Sequence, residues 1–458
     1  MQISGGSAAG SEDIKRPLAL FERALYLDGQ LPVSVTVTAC LRGRIDEASM
    51  RHALDRVQAK HPILRCLILP QDGRPWFVLQ DPAPPIPLRI VERQNGDDWV
   101  AQSMRESLQR FDGSREPLAR LIWVRGETHS ELVLVCHHAV CDGRSTLTLL
   151  REILLLCDQP DRAIGRHTSL NAIRDVFPAK VLADRALQRR IRWKVAVLKL
   201  LLRLPRARRS WSYGEIYRNF WALDEAASQR LVERCKTEHV NAFAAINVAF
   251  MLAFREVCGA KGIEKFVAPV DVRRHLPGLE ADSLFAVAGT VTLSLGATRA
   301  DKLARTDFWD LARALETDMK QKIKQLGPSI RTNFLGMEHL HGVYHRMIAY
   351  AGSQRAGRQV SLSYVGRLKF VQEYRDFRLE SIKGLSATLA PTPANLVGIS
   401  YFAGRFDLSF ASDEVSLPQA QAARIRDMAT ATLLACAAPS VAVIASAPAM
   451  ALVETEAV

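Results

Sequence analysis

The sequence predicts an α+β fold, a two-layer sandwich of helices and sheet built in two halves. Three observations predict it. At 458 residues the chain is too long for one ordinary core. Helical and strand patterns alternate along it without the regular crossover period of a parallel α/β protein. The pattern also restarts near Phe220, although no internal sequence repeat is present. A hydrophobic share of 48% and a charged share of 24% belong to an ordinary globular chain and exclude disordered and fibrous classes.

A short helix is expected at about 18 to 25, then a strand over "VSVTVTACLRG", where β-branched residues alternate. The segment "DEASMRHALDRVQAKHP" reads as an amphipathic helix, capped by Asp46 and stopped by Pro62. "ILRCLILP" and "WFVLQ" read as short strands around the "PQDGRP" turn. A helix at 97 to 110 precedes the strand pair "LARLIWVRGETHSELVLVCHH", whose "GETHS" centre is a hairpin turn, and "RSTLTLLREILLL" is the next helix. The second half opens with a strand, then the helices "DEAASQRLVERCKTEH" and "NAFAAINVAFMLAFREV". Strands follow near 266 to 270 and 287 to 295, and over "VSLSYVGRL", "LVGISYFAG" and "RFDLSFAS". The predicted divisions are residues 1–176, a basic linker helix over 177–214, and residues 215–458.

The linker carries most of the chain's net charge of +13. From Lys180 to Arg209 there are eleven Lys or Arg residues and one acid, Asp184. At helical spacing Arg185, Arg189, Arg192, Lys199, Arg203 and Arg206 share one face, and Trp193, Val197, Leu200 and Leu204 share another. Two readings are open: a solvated linker whose apolar face packs on the body, or a surface for a membrane or an acidic partner. An acidic partner is favoured, with loose membrane contact secondary. Nucleic acid is not expected, because neither a recognised binding module nor interleaved aromatics accompany the charge.

Eight cysteines are spread through apolar segments with no C-x-x-C pair, which argues against structural zinc and a disulfide framework and for buried reduced thiols. The N-terminus lacks the basic start and apolar core of a secretory signal, and its first dozen residues read as a disordered leader. A cytoplasmic monomer, peripheral to a membrane at most, is expected. The apolar stretch from Met428 to Val453 is interrupted by Pro439 and Pro448, so a last helix with a loose tail is expected rather than a membrane span.

The chemistry concentrates in "LVLVCHHAVCDGRSTLTLL", residues 132 to 150. Polar groups at the end of a buried strand are costly unless something uses or satisfies them. If the strand persists through both positions, alternation sends His137 and His138 to opposite faces, so they are not a joint metal site, and no metal is expected. Cys136 sits in the apolar strand, where a thiolate is disfavoured, which argues against a cysteine nucleophile. One imidazole can face a cleft as a general base. Asp142 can fix the turn through an ion pair, Gly143 allows close approach, and the positive end of the following helix suits a developing oxyanion.

"HHAVCDG", residues 137 to 143, resembles the HHxxxDG motif of the condensation-domain and chloramphenicol-acetyltransferase-like acyltransferases. The resemblance spans most of the chain: "RPLALFERALYL" and "RHALDRVQAKHPILR" are similar to the family's N-terminal segment, "VAPVDVRRHLPG" to its PVDLR-type segment, and "SLSYVGRL" and "ISYFAGRFDLSF" to its later strands. It implies two acetyltransferase-like halves in a V, with the motif at their interface in a tunnel open at both faces. It also implies a thioester donor, on coenzyme A or a carrier protein's phosphopantetheine, with no permanently bound cofactor. In those terms His138 is the general base, His137 supports the motif loop, Asp142 is structural and pairs with Arg273, and Gly143 lies beside the thioester. Cys141, Ser363, Tyr364 and Gly366 are expected to line the tunnel. Two features depart from the family: Tyr364 stands where relatives often carry Asn, and the DFGWG motif of the plant branch is missing. With no fused adenylation or carrier domain, the chain looks most like the stand-alone polyketide-associated and alcohol O-acyltransferases. The leading expectation is ester formation with a small-molecule or lipid alcohol, in secondary-metabolite or lipid biosynthesis. An amide-forming condensation enzyme and a non-catalytic carrier- or lipid-binding member are the alternatives.

Overall fold

Two sheets organise the molecule, one per lobe, and the seam between them holds the motif. The computed structural model describes residues 14–203, 214–259, 262–263, 265–286, 288–295, 306–353, 359–388 and 395–438.

The first sheet takes β2 (Ser34–Gly43), β5 (Leu88–Glu92), β6 (Ala119–Arg125), β7 (His129–His137) and β12 (Phe377–Ala387) in the order β12-β2-β7-β6-β5. Helices cover β7 on both sides, α3 (Asp98–Leu108) on one and α4 (Gly143–Asp158) on the other. That is why Leu132 to Cys136 read as an unbroken apolar run: every one is buried. The helix α2 (Glu47–Lys60) packs on α4, and the Asp46 carboxylate accepts from Ser49 N at 2.9 Å to cap it. A small outlying sheet joins β1 (Lys15–Pro17), β4 (Arg74–Leu79) and β3 (Cys66–Gln71). The predicted strand "ILRCLILP" begins only at Cys66, since Pro62–Arg65 form a 3-10 turn.

The second sheet runs β10 (Ala288–Leu293), β9 (Lys265–Asp271), β11 (Gln359–Arg367), β13 (Asn395–Phe402), β14 (Arg405–Asp413), β8 (Ile216–Ala222). Helices Glu225–Thr237, Ala242–Cys258, Phe308–Met337 and Gln419–Ala437 bury the second core. The long helix Phe308–Met337 carries Gly327 and Pro328 near its middle, the composition of a turn rather than a helix, and no sequence pattern marked it.

The halves are not contiguous in sequence, which corrects the boundary at residue 215. After β11 the chain leaves the second lobe, pairs antiparallel with β2 from Phe377↔Gly43 to Ala387↔Val35, and returns as β13. This strand covers the backbone edge that β2 would otherwise expose. At Gly398 on β13 a Cβ would stand 2.5 Å from the Leu385 carbonyl, so only glycine lets the two sheets approach there. Lys60 Nζ also bridges the lobes, contacting Glu152 on α4 at 2.6 Å and Asp282 beyond the seam.

The basic helix spans Arg185–Leu201, capped by Asp184, while Leu204 and Arg206 lie outside the described residues. Its body-facing residues are Ile191 and Val195, not the Trp193 face, so of the two open readings the one that packs the Trp193 face on the body does not hold. The last helix, Gln419–Ala437, turns Ala422, Ile425, Ala429 and Leu433 into the core, and residues 439–453 of the apolar tail lie outside the described set. Among the described residues no single helix is long and apolar enough to cross a membrane. All eight cysteines are free thiols.

Candidate active site

The strand β7 ends at His137, which pairs with Ser34 of β2 and donates its backbone N–H to Leu118 at 2.8 Å. His138 begins the turn, and its N–H reaches Val33 at 2.9 Å. The His137 ring is buried against Tyr26 and Phe111, and Nδ1 accepts from Ala139 N at 3.0 Å. Burial, His138 and the Arg120 cation push its pKa down to about 3, so it is a neutral structural ring that ties down the turn.

His138 instead lines a cavity of about 460 Å³ between the two sheets. Its pKa is lowered by burial, although its own carbonyl, Asp142 and the backbone of Cys141 pull the other way. Among the described residues Nδ1 has no hydrogen-bond partner of good geometry. The ring is therefore neutral at pH 7 and able to take a proton.

Asp142 caps α4, with Oδ1 accepting from Ser145 N at 2.8 Å. Arg273, just past β9 in the other lobe, grips both carboxylate oxygens: Nη1 to Oδ2 at 2.7 Å and Nη2 to Oδ1 at 2.9 Å. The same Nη2 donates to Ser145 Oγ at 2.7 Å and to the Phe285 carbonyl at 3.1 Å. Ser145 Oγ also accepts from Phe285 N at 3.0 Å. Burial works against the guanidinium charge, but Asp142 and Asp271 more than offset it and raise the Arg273 pKa. The motif turn is thus bolted across the seam by a buried bidentate pair.

A second cavity, of about 500 Å³, meets the first at Asp142, Gly143, Pro269, Ser363 and Val365. The two differ in lining. Phe21, Leu25, Val267, Phe334, Met337 and Leu396 make the His138 cavity apolar. Arg144, Arg151, Arg367 and Lys369 make the second basic, with Arg144 paired to Asp271.

Of the expected lining residues only Ser363 reaches the His138 cavity. Cys141 is fully buried beside Cys136, where burial pushes its thiol well up. Gly366 sits at the irregularity of β11 between Tyr364 and Arg367, with a left-handed φ of 84°, and lines neither cavity. Tyr364 stacks on Phe243 at 5.0 Å and walls the basic cavity only, because β11 alternation gives Ser361, Ser363 and Val365 to the His138 side. Ser145, Phe334 and Met337 join the site without belonging to the motif. Ser145 follows the motif directly and its capping position was a usable signal, whereas the other two lie on the unmarked long helix. His167, Glu280 and Asp282 come within shared ligand reach of one another, but Lys60 already meets the Asp282 charge.

The condensation-domain family model matches residues 29–325. The chain is 36% identical over 128 residues to CymA, a probable non-canonical nonribosomal peptide synthetase of Salinispora arenicola, a match covering 28% of this chain and 2% of that protein. The chain therefore spans a small fraction of that relative's length. Polyketide synthase associated protein 5 from Mycobacterium tuberculosis aligns with a TM-score of 0.60 at 18% identity, over 92% of this chain and 99% of that one. The trichothecene 15-O-acetyltransferase TRI3 from Fusarium sporotrichioides aligns with a TM-score of 0.65 at 12% identity, over 94% and 97%. These likenesses establish the two-lobed acetyltransferase-like fold, and the family match over most of the chain shows that the protein belongs to the condensation-domain family.

Proposed function

We propose that the protein transfers an acyl group from a pantetheine thioester to a hydroxyl, forming an ester, with His138 as general base. The observation that carries this reading is the position of a neutral, half-buried His138 in an apolar cavity that opens at Gly143 onto a basic one. A hydroxyl in the apolar cavity gives its proton to the imidazole as its oxygen attacks the thioester carbonyl. The tetrahedral oxyanion collapses, expels the thiolate, and the imidazolium returns the proton to sulfur, leaving ester and thiol. The first-turn N–H groups of α4 supply positive potential where the oxyanion develops.

A hydroxyl is favoured over an amine by the lining. Among the described residues the one acid lining the His138 cavity is Asp142, and both its oxygens are held by Arg273. An ammonium would be desolvated there with no free carboxylate to pair it, whereas an alcohol enters neutral. Arg151, Arg367 and Lys369 are exposed around the second cavity and suit the phosphate of a pantetheine arm, on coenzyme A or an acidic carrier protein. The test is incubation with acyl-CoA or an acyl-loaded carrier protein and panels of alcohols and amines, following free thiol. Thiol release dependent on an alcohol, with ester found by mass spectrometry, supports the proposal. Release with amines alone would replace it by amide formation.

A further inference from the structure

We propose that the helix Arg185–Leu201 is a membrane-surface anchor that lies in the plane of an anionic bilayer. The helix has two apolar faces. Ile191 and Val195 are buried against the body, over Gly336 of the long helix, where a Cβ would stand 3.8 Å from each. On the opposite side Trp193 is 68% exposed and Leu200 63%, with Val197 and Leu201 beside them. These four stand at i, i+4, i+7 and i+8, one continuous outward stripe. An indole and three aliphatic chains so exposed in one row are unusual on a soluble surface that meets only water.

The flanks identify what covers the stripe. Exposed Arg185, Arg189 and Arg192 border one side, and Arg190 and Lys194 the other. A basic border on both sides of a narrow apolar stripe matches a bilayer interface: the apolar chains enter the acyl boundary while the cations stay among anionic headgroups. A second copy of the chain is disfavoured, since pairing two such faces would bring their cations together. An acidic protein would use the charge without needing an exposed indole. The anchor also has a bearing on the site. The long helix beneath it contributes Phe334 and Met337 to the His138 cavity, so docking would hold that apolar cavity close to lipid-soluble acceptors. Docking is read without turnover and stands or falls apart from the acyl-transfer reading.

The experiment is co-sedimentation of the full chain with vesicles of phosphatidylcholine alone or with 30% (about a physiological anionic share) phosphatidylglycerol. Two variants accompany it: R189Q/R192Q/K199Q/R203Q and W193S/L200S. Binding is expected to need the anionic lipid, to weaken roughly 10²-fold or more in the charge variant, and to weaken about tenfold in W193S/L200S. All the substitutions lie outside the core, so melting should match the parent. Absence of binding to anionic vesicles overturns the proposal. So does full binding by W193S/L200S, which would make the contact purely electrostatic. A dimer in solution that W193S/L200S dissolves would make the face a self-interface and overturn it equally.

Discussion

Arg273 and Asp142 join the two lobes through a buried, bidentate ion pair, 131 residues apart in sequence. Asp142 is at once the cap of α4 and the counter-charge of a guanidinium that, among the described residues, has no other close carboxylate but Asp271, at 3.5 Å from Nη1. Removing it strands a buried cation. Asp142→Ala is therefore expected to lower stability by about 3–5 kcal/mol, more than loss of a cap alone. Urea melts of Asp142→Ala, Arg273→Ala and the double variant check this. The double variant should be less destabilised than the two single changes taken together. An Asp142→Ala protein that melts like the parent yet is inactive would make Asp142 a reacting group instead.

For His138 the expectation is the reverse: a large kinetic effect with little structural cost. Its ring lines a cavity, and its Nδ1 makes no well-formed hydrogen bond among the described residues, so His138→Ala should melt near the parent temperature. Turnover should fall roughly 10²- to 10⁴-fold, the usual range for a lost general base. Because burial lowers its pKa, the base stays deprotonated below the ordinary value of 6.5. The acid limb of kcat/KM against pH should accordingly lie below pH 6.5. A limb at or above 6.5 would mean that burial does not lower the pKa of this ring, and an unchanged His138→Ala rate would remove His138 from the mechanism.

Much of this site was legible because its pieces are local. The helix Glu47–Lys60 shows its Asp46 cap and the Pro62 stop in sequence, and "HHAVCDG" ends a strand and opens a helix as its residue types dictate. What was hidden depends on partners. Phe377–Ala387 becomes an edge strand only because β2 offers it an edge, and the six residues Arg367–Gln372 that lead toward it give no warning of a change of lobe. Helical spacing on Arg185–Leu201 shows which residues share a face. It does not say which face meets the body, and Ile191 and Val195 took that place, leaving Trp193 and Leu200 outside.

The two adjacent histidines should separate by pH. The folded pKa of His137 is about 3, below the ordinary 6.5, so the native state resists a proton that the unfolded chain accepts. Its contribution is intact above pH 6.5 and is lost as pH falls from 6.5 toward 3, at about 1.4 kcal/mol per pH unit. His137→Asn is expected to be less stable than the parent at pH 7.5, through lost packing against Tyr26 and Phe111. That gap should narrow by about 2 kcal/mol by pH 5, because the variant lacks the buried ring. Denaturant melts at the two pH values decide it. A constant gap would mean that His137 is not held neutral.

The meeting point of the two cavities offers the most direct test of the proposed reaction path. Gly143 borders both, and a Cβ there would lie 3.4 Å from Val365 Cγ1, tight but short of a clash. Its backbone is the first turn of α4, where alanine is at least as good a helix former as glycine. Gly143→Ala should therefore keep its fold and melt at or slightly above the parent temperature. The added methyl would nonetheless stand where a thioester must pass to bring its carbonyl within reach of a hydroxyl held by His138. A displacement of about 1 Å at a reacting centre can cost about 10²-fold, so kcat is expected to drop by roughly that factor. Steady-state kinetics beside a thermal melt make the comparison. Gly143→Ala with parental kcat and KM would show that the acyl group does not cross between the cavities at this point, and the proposed route through the molecule would fail.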